Sequence, residues 1–128
     1  IARVSGQRTR LSFTTLLAPM PRGIISTSTA AVRPGTTRKD LVDCLAEAYA
    51  GERFVRLLAP GNWPRTSSVS GTNTALLQIE FDEHSRRAIV VSAIDNLGKG
   101  AAGQAIQNAN LMLGLEEAMG LPTDGGAT

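Results

Sequence analysis

Ile89-Val-Val-Ser-Ala-Ile-Asp-Asn-Leu-Gly-Lys-Gly-Ala-Ala-Gly-Gln-Ala-Ile-Gln-Asn-Ala-Asn-Leu-Met-Leu-Gly114 is the stretch on which the reading of this chain turns. A β-branched, apolar run ends at Asp95-Asn96, a turn rich in glycine follows at Gly98, Gly100 and Gly103, and a small-residue helix starts almost at once. Polar groups and Lys99 thus gather where a strand becomes a helix, a place where backbone N–H groups can meet an anion. Gly98 to Gly103 matches G-x-G-x-x-G, but a dinucleotide-binding unit also needs a second strand and an acidic residue further on. The 25 residues after Gly103 end in Leu-Pro-Thr-Asp-Gly-Gly-Ala-Thr and hold no such strand. Nor is it a Walker A loop, since no Gly-Lys-Ser/Thr follows four spacer residues.

The helix reading has more support. Ala102, Ala105, Ile106, Ala109, Met112 and Leu113 recur at helical spacing as one apolar stripe. Gln104, Gln107, Asn108 and Asn110 are uncharged amides in a short span, and they suggest a polar interface, because buried amides need partners.

Working outward, Arg10–Leu17 alternates and suits a strand, broken by Pro19 and Pro21. Ile24–Val32 reads as a strand and Pro34-Gly35 as a turn. Thr36 or Thr37 can cap a helix running to about Ala50, with Gly51 as its stop. Phe54–Leu58 and Asn73–Phe81 read as strands around a loop over 59–70. The polar turn Asp82–Arg86 pairs Arg87–Ile94 back as a hairpin. The last helix is expected to run on to 120, and the tail from Leu121 to fray. Strands outnumber helices, and hairpins dominate the connections. The expected class is α+β: a mainly antiparallel sheet with helices on one face.

The chain has 128 residues, enough for one domain or a large piece of one. At 42% hydrophobic and 19% charged it can bury a core. No apolar run is long enough for a membrane span, and the start is not a secretory signal. One cysteine excludes an intrachain disulfide framework and fits a reducing compartment, so a cytoplasmic location is expected. The net charge of +2 is uneven, about +6 over residues 1–40 and −4 over the rest. With only Phe13 among the basic residues there, this reads as a solvated basic surface and not as a nucleic-acid site.

The stretch from Ile94 to Leu115 resembles the C-terminal signature of the N-acetyl-gamma-glutamyl-phosphate reductases of arginine biosynthesis. Phe13–Gly23, Phe54-Val-Arg, Gly61-Asn-Trp-Pro and Gly71-Thr-Asn have counterparts in the same order, so the resemblance runs from about Leu11 to Leu121. It implies a substrate-binding and dimerisation domain like the C-terminal domain of glyceraldehyde-3-phosphate dehydrogenase over residues 1–97. It also implies a C-terminal helix over 98–120 that packs on an N-terminal NADP-binding domain outside this chain, then a tail over 121–128. The implied reaction is NADPH-dependent reduction of an acyl phosphate to a semialdehyde, with NADP as cofactor and a homo-oligomer, dimer or tetramer, as the assembly. The nucleophilic cysteine and acid–base histidine are expected outside this chain, which would then be an inactive fragment on its own. The alternatives are a non-catalytic dimerisation or binding module, and a piece of the related aspartate-semialdehyde dehydrogenase, which shares a similar Asp-Asn-x-x-Lys-Gly-Ala turn.

Arg22, stiffened by Pro19-Met-Pro21, can present a fork to the substrate's carboxylate or phosphate, or be a surface arginine. Just upstream, Thr15-Leu16 stands where the family usually has Pro-His. Gly71, Thr72 and Asn73 can line the substrate pocket or form a tight turn. Asn96, Gly98, Lys99 and Gly100 are the cofactor candidates: an amide for the nicotinamide carboxamide and a turn that lets backbone approach, with Asp95 or Asn96 capping as the plainer role. Lys99 can meet phosphate or pair with Asp95. Cys44, among Leu41, Leu45 and Ala48, reads as a small core residue, and His84 as a solvated turn residue. No metal-ligand spacing is present.

Overall fold

In a computed structural model of the chain, the structure describes Arg3, Gly6 and residues 8–123. Strands β1 (Ile24–Ala31), β2 (Val55–Leu57), β3 (Ala75–Asp82) and β4 (Arg87–Ile94) form one sheet in the order β1-β4-β3-β2. Helix α1 (Arg38–Ala48) lies against β3, and helix α2 (Gly103–Met112) follows β4 through a π-helical turn over Gly98–Ala102. The α+β class is as the sequence predicts.

The hairpin of β3 and β4 has a local cause. The Asp82 carboxylate accepts the N–H groups of His84 (3.0 Å) and Ser85 (3.2 Å), and Arg86 takes a left-handed φ of 54° to turn the chain back. β1 pairs antiparallel with β4, Ile24 opposite Ile94. β2 departs from the expected hairpins: it runs parallel to β3, and the long loop over 58–74 carries the chain back to the start of β3, as a parallel pair requires. The sheet is therefore mixed. α1 begins where expected, with Thr37 and Asp40 forming a reciprocal capping box, and Gly51 follows its end at φ 82°.

Arg10–Leu17 is not a strand: residues 8–18 form no regular element, and 8–22 are exposed. The alternating pattern is there, but no strand among the described residues pairs with it, and a lone strand leaves its N–H and C=O groups without a ladder.

α2 turns its amide face inward and leaves its apolar stripe outside. The apolar stripe from Ala102 to Leu113 is exposed throughout, Met112 at 86%, whereas Gly103, Gln107 and Asn110 are buried. The helix also stops at Met112 instead of running to 120. Gly114 (φ 69°) closes it with a paired turn in which Leu115 N–H reaches Asn110 O (2.9 Å) and Gly114 N–H reaches Leu111 O (3.3 Å). That turn folds residues 115–119 back over the amide face. Asn110 Nδ2 donates to the carbonyls of Glu117 and Met119, both at 3.0 Å, and Gln107 Nε2 donates to the Glu117 carboxylate (2.5 Å). The two buried amides thus find their partners within the chain, and Gln104 bonds Asn108 on the exposed side.

The tail is held as far as it is described, contrary to the expected fraying from Leu121. Pro122 O accepts Asn73 N–H (2.8 Å) and Thr123 O accepts Thr74 Oγ1–H (2.8 Å). Residues 124–128 lie outside the described residues. The apolar core (Val69, Leu76 and Ala93, with Leu58 against it) sits beside this junction of β3, β4 and α2.

Gly103 fits because it has no side chain: a Cβ there would overlap Asn73 Oδ1 and press on the Gly98 carbonyl. Gly103→Ala is expected to destabilise the fold by about 2–3 kcal/mol through overpacking. Gly35→Ala, in open space at φ 82°, should cost about 1 kcal/mol from backbone conformation alone. Thermal denaturation of the two variants checks the order.

Candidate functional site

β4 delivers Asp95 to the bottom of the glycine turn, where its side chain is 0% exposed. Its carboxylate is surrounded by donors. Oδ1 accepts the N–H groups of Leu97 and Gly98, both at 2.8 Å, and Oδ2 accepts the N–H of Gly71 at 2.6 Å. Arg22 closes the ring from the side, with Nε 2.8 Å from Oδ2 and Nη2 3.3 Å from Oδ1. Burial alone would push this carboxyl up. The N–H groups of Gly98, Gly71 and Leu97, with the Arg22 guanidinium, outweigh it and bring the pKa from 3.8 down to about 2.

The anion that the turn can hold is therefore Asp95 itself. The N–H groups of Leu97 and Gly98 are spent on its carboxylate, and Gly100 N–H on its carbonyl (2.8 Å). The glycines serve close internal packing: a Cβ on Gly98 would overlap the Thr72 carbonyl, and one on Gly100 would come within 3.1 Å of Asp95 O. Lys99 does not pair with Asp95. Its Nζ donates to Gln107 Oε1 (2.6 Å) and lies 5.4 Å from the Phe54 ring centroid. Burial draws the Lys99 pKa down, opposed by Glu117 and Glu52.

The residues singled out in the sequence converge on this one junction. Gly71 turns at φ 74° to aim its N–H at Asp95. Thr72 and Asn73 are buried. Thr72 Oγ1 donates to Val69 O (2.9 Å) and accepts Thr74 N–H (3.1 Å), and Asn73 Nδ2 donates to Gln107 Oε1 (2.9 Å). Asn73 Oδ1 has no hydrogen-bond donor and rests against Gly103. Asn96 Oδ1 accepts Gly23 N–H (2.7 Å), which ties the Arg22 segment to the turn a second time and leaves the Asn96 NH2 group as donor. Gly23, at φ 103°, is packed so closely on Thr66 that a Cβ would overlap that side chain.

Two residues elsewhere are placed by the structure. Cys44 is exposed on α1, not a core residue, because α1 buries no side chain fully. His84 is exposed in the hairpin turn, as expected. Among the described residues, no group of three or more His, Cys, Asp or Glu side chains could hold a metal ion, and no helix is long and apolar enough to cross a membrane. Sequence reasoning missed Glu117, which caps Gln107 from the return loop, and Thr66. Asp95 itself was legible as a cap, since an aspartate two or three residues before free N–H groups bonds back to its own turn.

The depressed Asp95 pKa gives a signed expectation. A carboxylate whose folded pKa lies below its ordinary 3.8 stabilises the fold above about pH 4, and that contribution is lost as pH falls towards about 2. The pH-dependent part is about 2 kcal/mol. Acid titration of stability should therefore show the gap between wild type and Asp95→Asn narrowing by that amount over this range.

The chain matches the family model described as the semialdehyde dehydrogenase dimerisation domain over residues 1–96. It is similar to N-acetyl-gamma-glutamyl-phosphate reductases from Frankia casuarinae (54% identical), an Arthrobacter species (50%) and Streptomyces coelicolor (48%), each over 98% of this chain and 36% of the relative. It thus spans about a third of the length of these relatives and corresponds to their C-terminal portion. Among solved structures, aspartate semialdehyde dehydrogenase II from Vibrio cholerae shares the fold with a TM-score of 0.58 and 21% identity, over 72% of this chain and 27% of that one. By its sheet, its turn and these matches, the chain belongs to the semialdehyde dehydrogenase dimerisation-domain family.

Proposed function

We propose that this chain is the C-terminal part of an NADP-dependent N-acetyl-gamma-glutamyl-phosphate reductase that works in the cytoplasm as a homo-oligomer. The whole protein would convert N-acetyl-gamma-glutamyl phosphate and NADPH into the semialdehyde, phosphate and NADP+. The observation that carries the reading is the Arg22–Asp95–Asn96 junction, in which the Arg22 guanidinium meets Asp95 while Asn96 holds Gly23 through its oxygen and keeps its NH2 group as a donor. The identity of about half to reductases of that name supports the choice over aspartate-semialdehyde dehydrogenase, to which the likeness is one of fold.

In this reading Arg22 receives a carboxylate or phosphate of the substrate. Its guanidinium meets Asp95 through Nε and one Nη, so the Nη edge stays open, and the side chain is 42% exposed. Bound NADPH supplies the hydride. Of the cofactor candidates, Asn96 fits that group: its NH2 is free to donate to the nicotinamide carboxamide while its oxygen holds Gly23. Lys99 and the N–H groups of Gly98 and Gly100 are engaged within the chain and hold the turn that presents Asn96. Gly71, Thr72 and Asn73 would serve the substrate pocket by fixing that turn from the opposite side. The exposed apolar stripe of α2 is the face we assign to the nucleotide-binding part of the same protein.

The whole reductase should reduce NADP+ with N-acetylglutamate semialdehyde and phosphate, and not with aspartate semialdehyde. The purified 128-residue chain should show no turnover. Turnover by this chain alone would overturn the assignment of the nucleophile to the rest of the protein. Cys44→Ser should leave the rate within about twofold, since its side chain is exposed on α1 and takes no part in the hydrogen bonds of the junction. Asn96→Ala should raise the KM for NADP+ or lower kcat by about tenfold, and unchanged kinetics would remove the role given to that amide.

A further inference from the structure

The geometry points to Asp95 as a positioning residue that orients Arg22 toward the substrate and ties that orientation to the cofactor-side turn. The inference rests on the reductase reading for its ligands, and on the hydrogen-bond geometry for its mechanism.

An arginine fork can meet a carboxylate side-on, through Nε and one Nη, or end-on through both Nη groups. Asp95 takes the side-on edge of Arg22, Nε at 2.8 Å and Nη2 at 3.3 Å. The side-on pair fixes the guanidinium plane and leaves the end-on edge aimed away from Asp95. The partially exposed Arg22 side chain can thus offer a second anion an oriented fork instead of a mobile one. Asp95 has no freedom of its own: it is fully buried and three backbone N–H groups hold it, from Gly71 on one side and from Leu97 and Gly98 on the other. One carboxylate thereby links the proposed substrate arginine to the turn that presents Asn96. Asn96 repeats the link by holding Gly23, the residue after Arg22. The substrate and cofactor contacts of this chain cannot shift independently.

The test uses the full-length reductase. In wild type, the Arg22 Nε–H should give an NMR resonance protected from solvent exchange, and Asp95→Asn should abolish that protection. This readout needs no turnover, so an inactive wild type would defeat the functional reading while the resonance still decides the positioning. An unprotected wild-type resonance overturns the proposal. In steady-state assays, Asp95→Asn should raise the KM for N-acetylglutamate semialdehyde about tenfold, with kcat falling less. In an Arg22→Gln background the same change should raise that KM by no more than about twofold, because the group it orients is already gone. Independent, multiplying effects of the two substitutions would overturn the proposal. If Asp95→Asn does not fold, Arg22→Lys decides. Lysine keeps the charge but not the side-on pair, so the KM should again rise about tenfold with a smaller change in kcat. A wild-type KM in Arg22→Lys overturns the proposal.

Discussion

A single buried carboxylate organises this domain. Asp95 sits where β4 ends, and every segment that meets there reaches it or its neighbour: the Arg22 segment, the loop at Gly71 and the turn into α2. An unpaired carboxylate in that position would be costly, because burial strips its water without return. Three backbone N–H groups and a guanidinium make the difference, and each is fixed by something else in the fold. Gly71 needs its left-handed turn, Gly98 its contact with the Thr72 carbonyl, and Arg22 the clamp of Asn96 on Gly23. The charge is tolerated because the chain is bent around it, and the bends persist because the charge is there.

Next to the charge lies a second polar layer. Asn73, Gln107, Lys99 and Glu117 form a connected set in which Gln107 accepts from Asn73 and Lys99 and donates to Glu117. Such a set fixes register more strictly than apolar packing, because a slip strands several polar atoms at once. It orients α2 through its amide face, and Gly103 lets that face come close to Asn73. Lys99 Nζ lies over the Phe54 ring, 5.4 Å from its centroid, so an apolar ring and a half-buried ammonium meet beside this set.

Much of the fold was legible because its signals are local. Thr37 and Asp40 sit three apart and make a capping box, Asp82 ahead of a polar turn makes a hairpin, and Gly51 ends α1. Several of the failures concern partners that lie outside the segment being read. Arg10–Leu17 has a strand's alternation, but pairing is a property of two segments, and its pattern names only one. The parallel pairing of β2 depends on where a long loop returns. Periodicity showed that α2 has two faces and not which one turns inward; the bonds of Gln107 and Asn110 to residues 117–119 settle that, and they follow from the turn at Gly114. The candidate residues lie together: those proposed for substrate around Arg22 and Gly71 and those proposed for cofactor around Asn96 and Gly98 are neighbours in the fold. That they meet through Asp95 was not legible, since Arg22 and Asp95 stand 73 residues apart.

The glycine-rich turn shows why a short motif misleads without its surroundings. G-x-G-x-x-G suggests glycines that make room for a phosphate and N–H groups that bind it. Here the room is filled by Thr72, Asp95 and Asn73, and the N–H groups of Leu97 and Gly98 are satisfied by an anion the chain supplies four residues before Lys99. The same physics operates, helix N-terminal donors meeting negative charge, but the ligand is covalently part of the protein. A site whose anion is built in cannot release it, so the N–H groups of Leu97 and Gly98 serve to hold the turn itself in place. What it holds is Asn96 above and Arg22 beside it. Arg22 meets the carboxylate that no solvent reaches through Nε and Nη2, and Asn96 is held through its oxygen by the N–H of Gly23, the residue after Arg22.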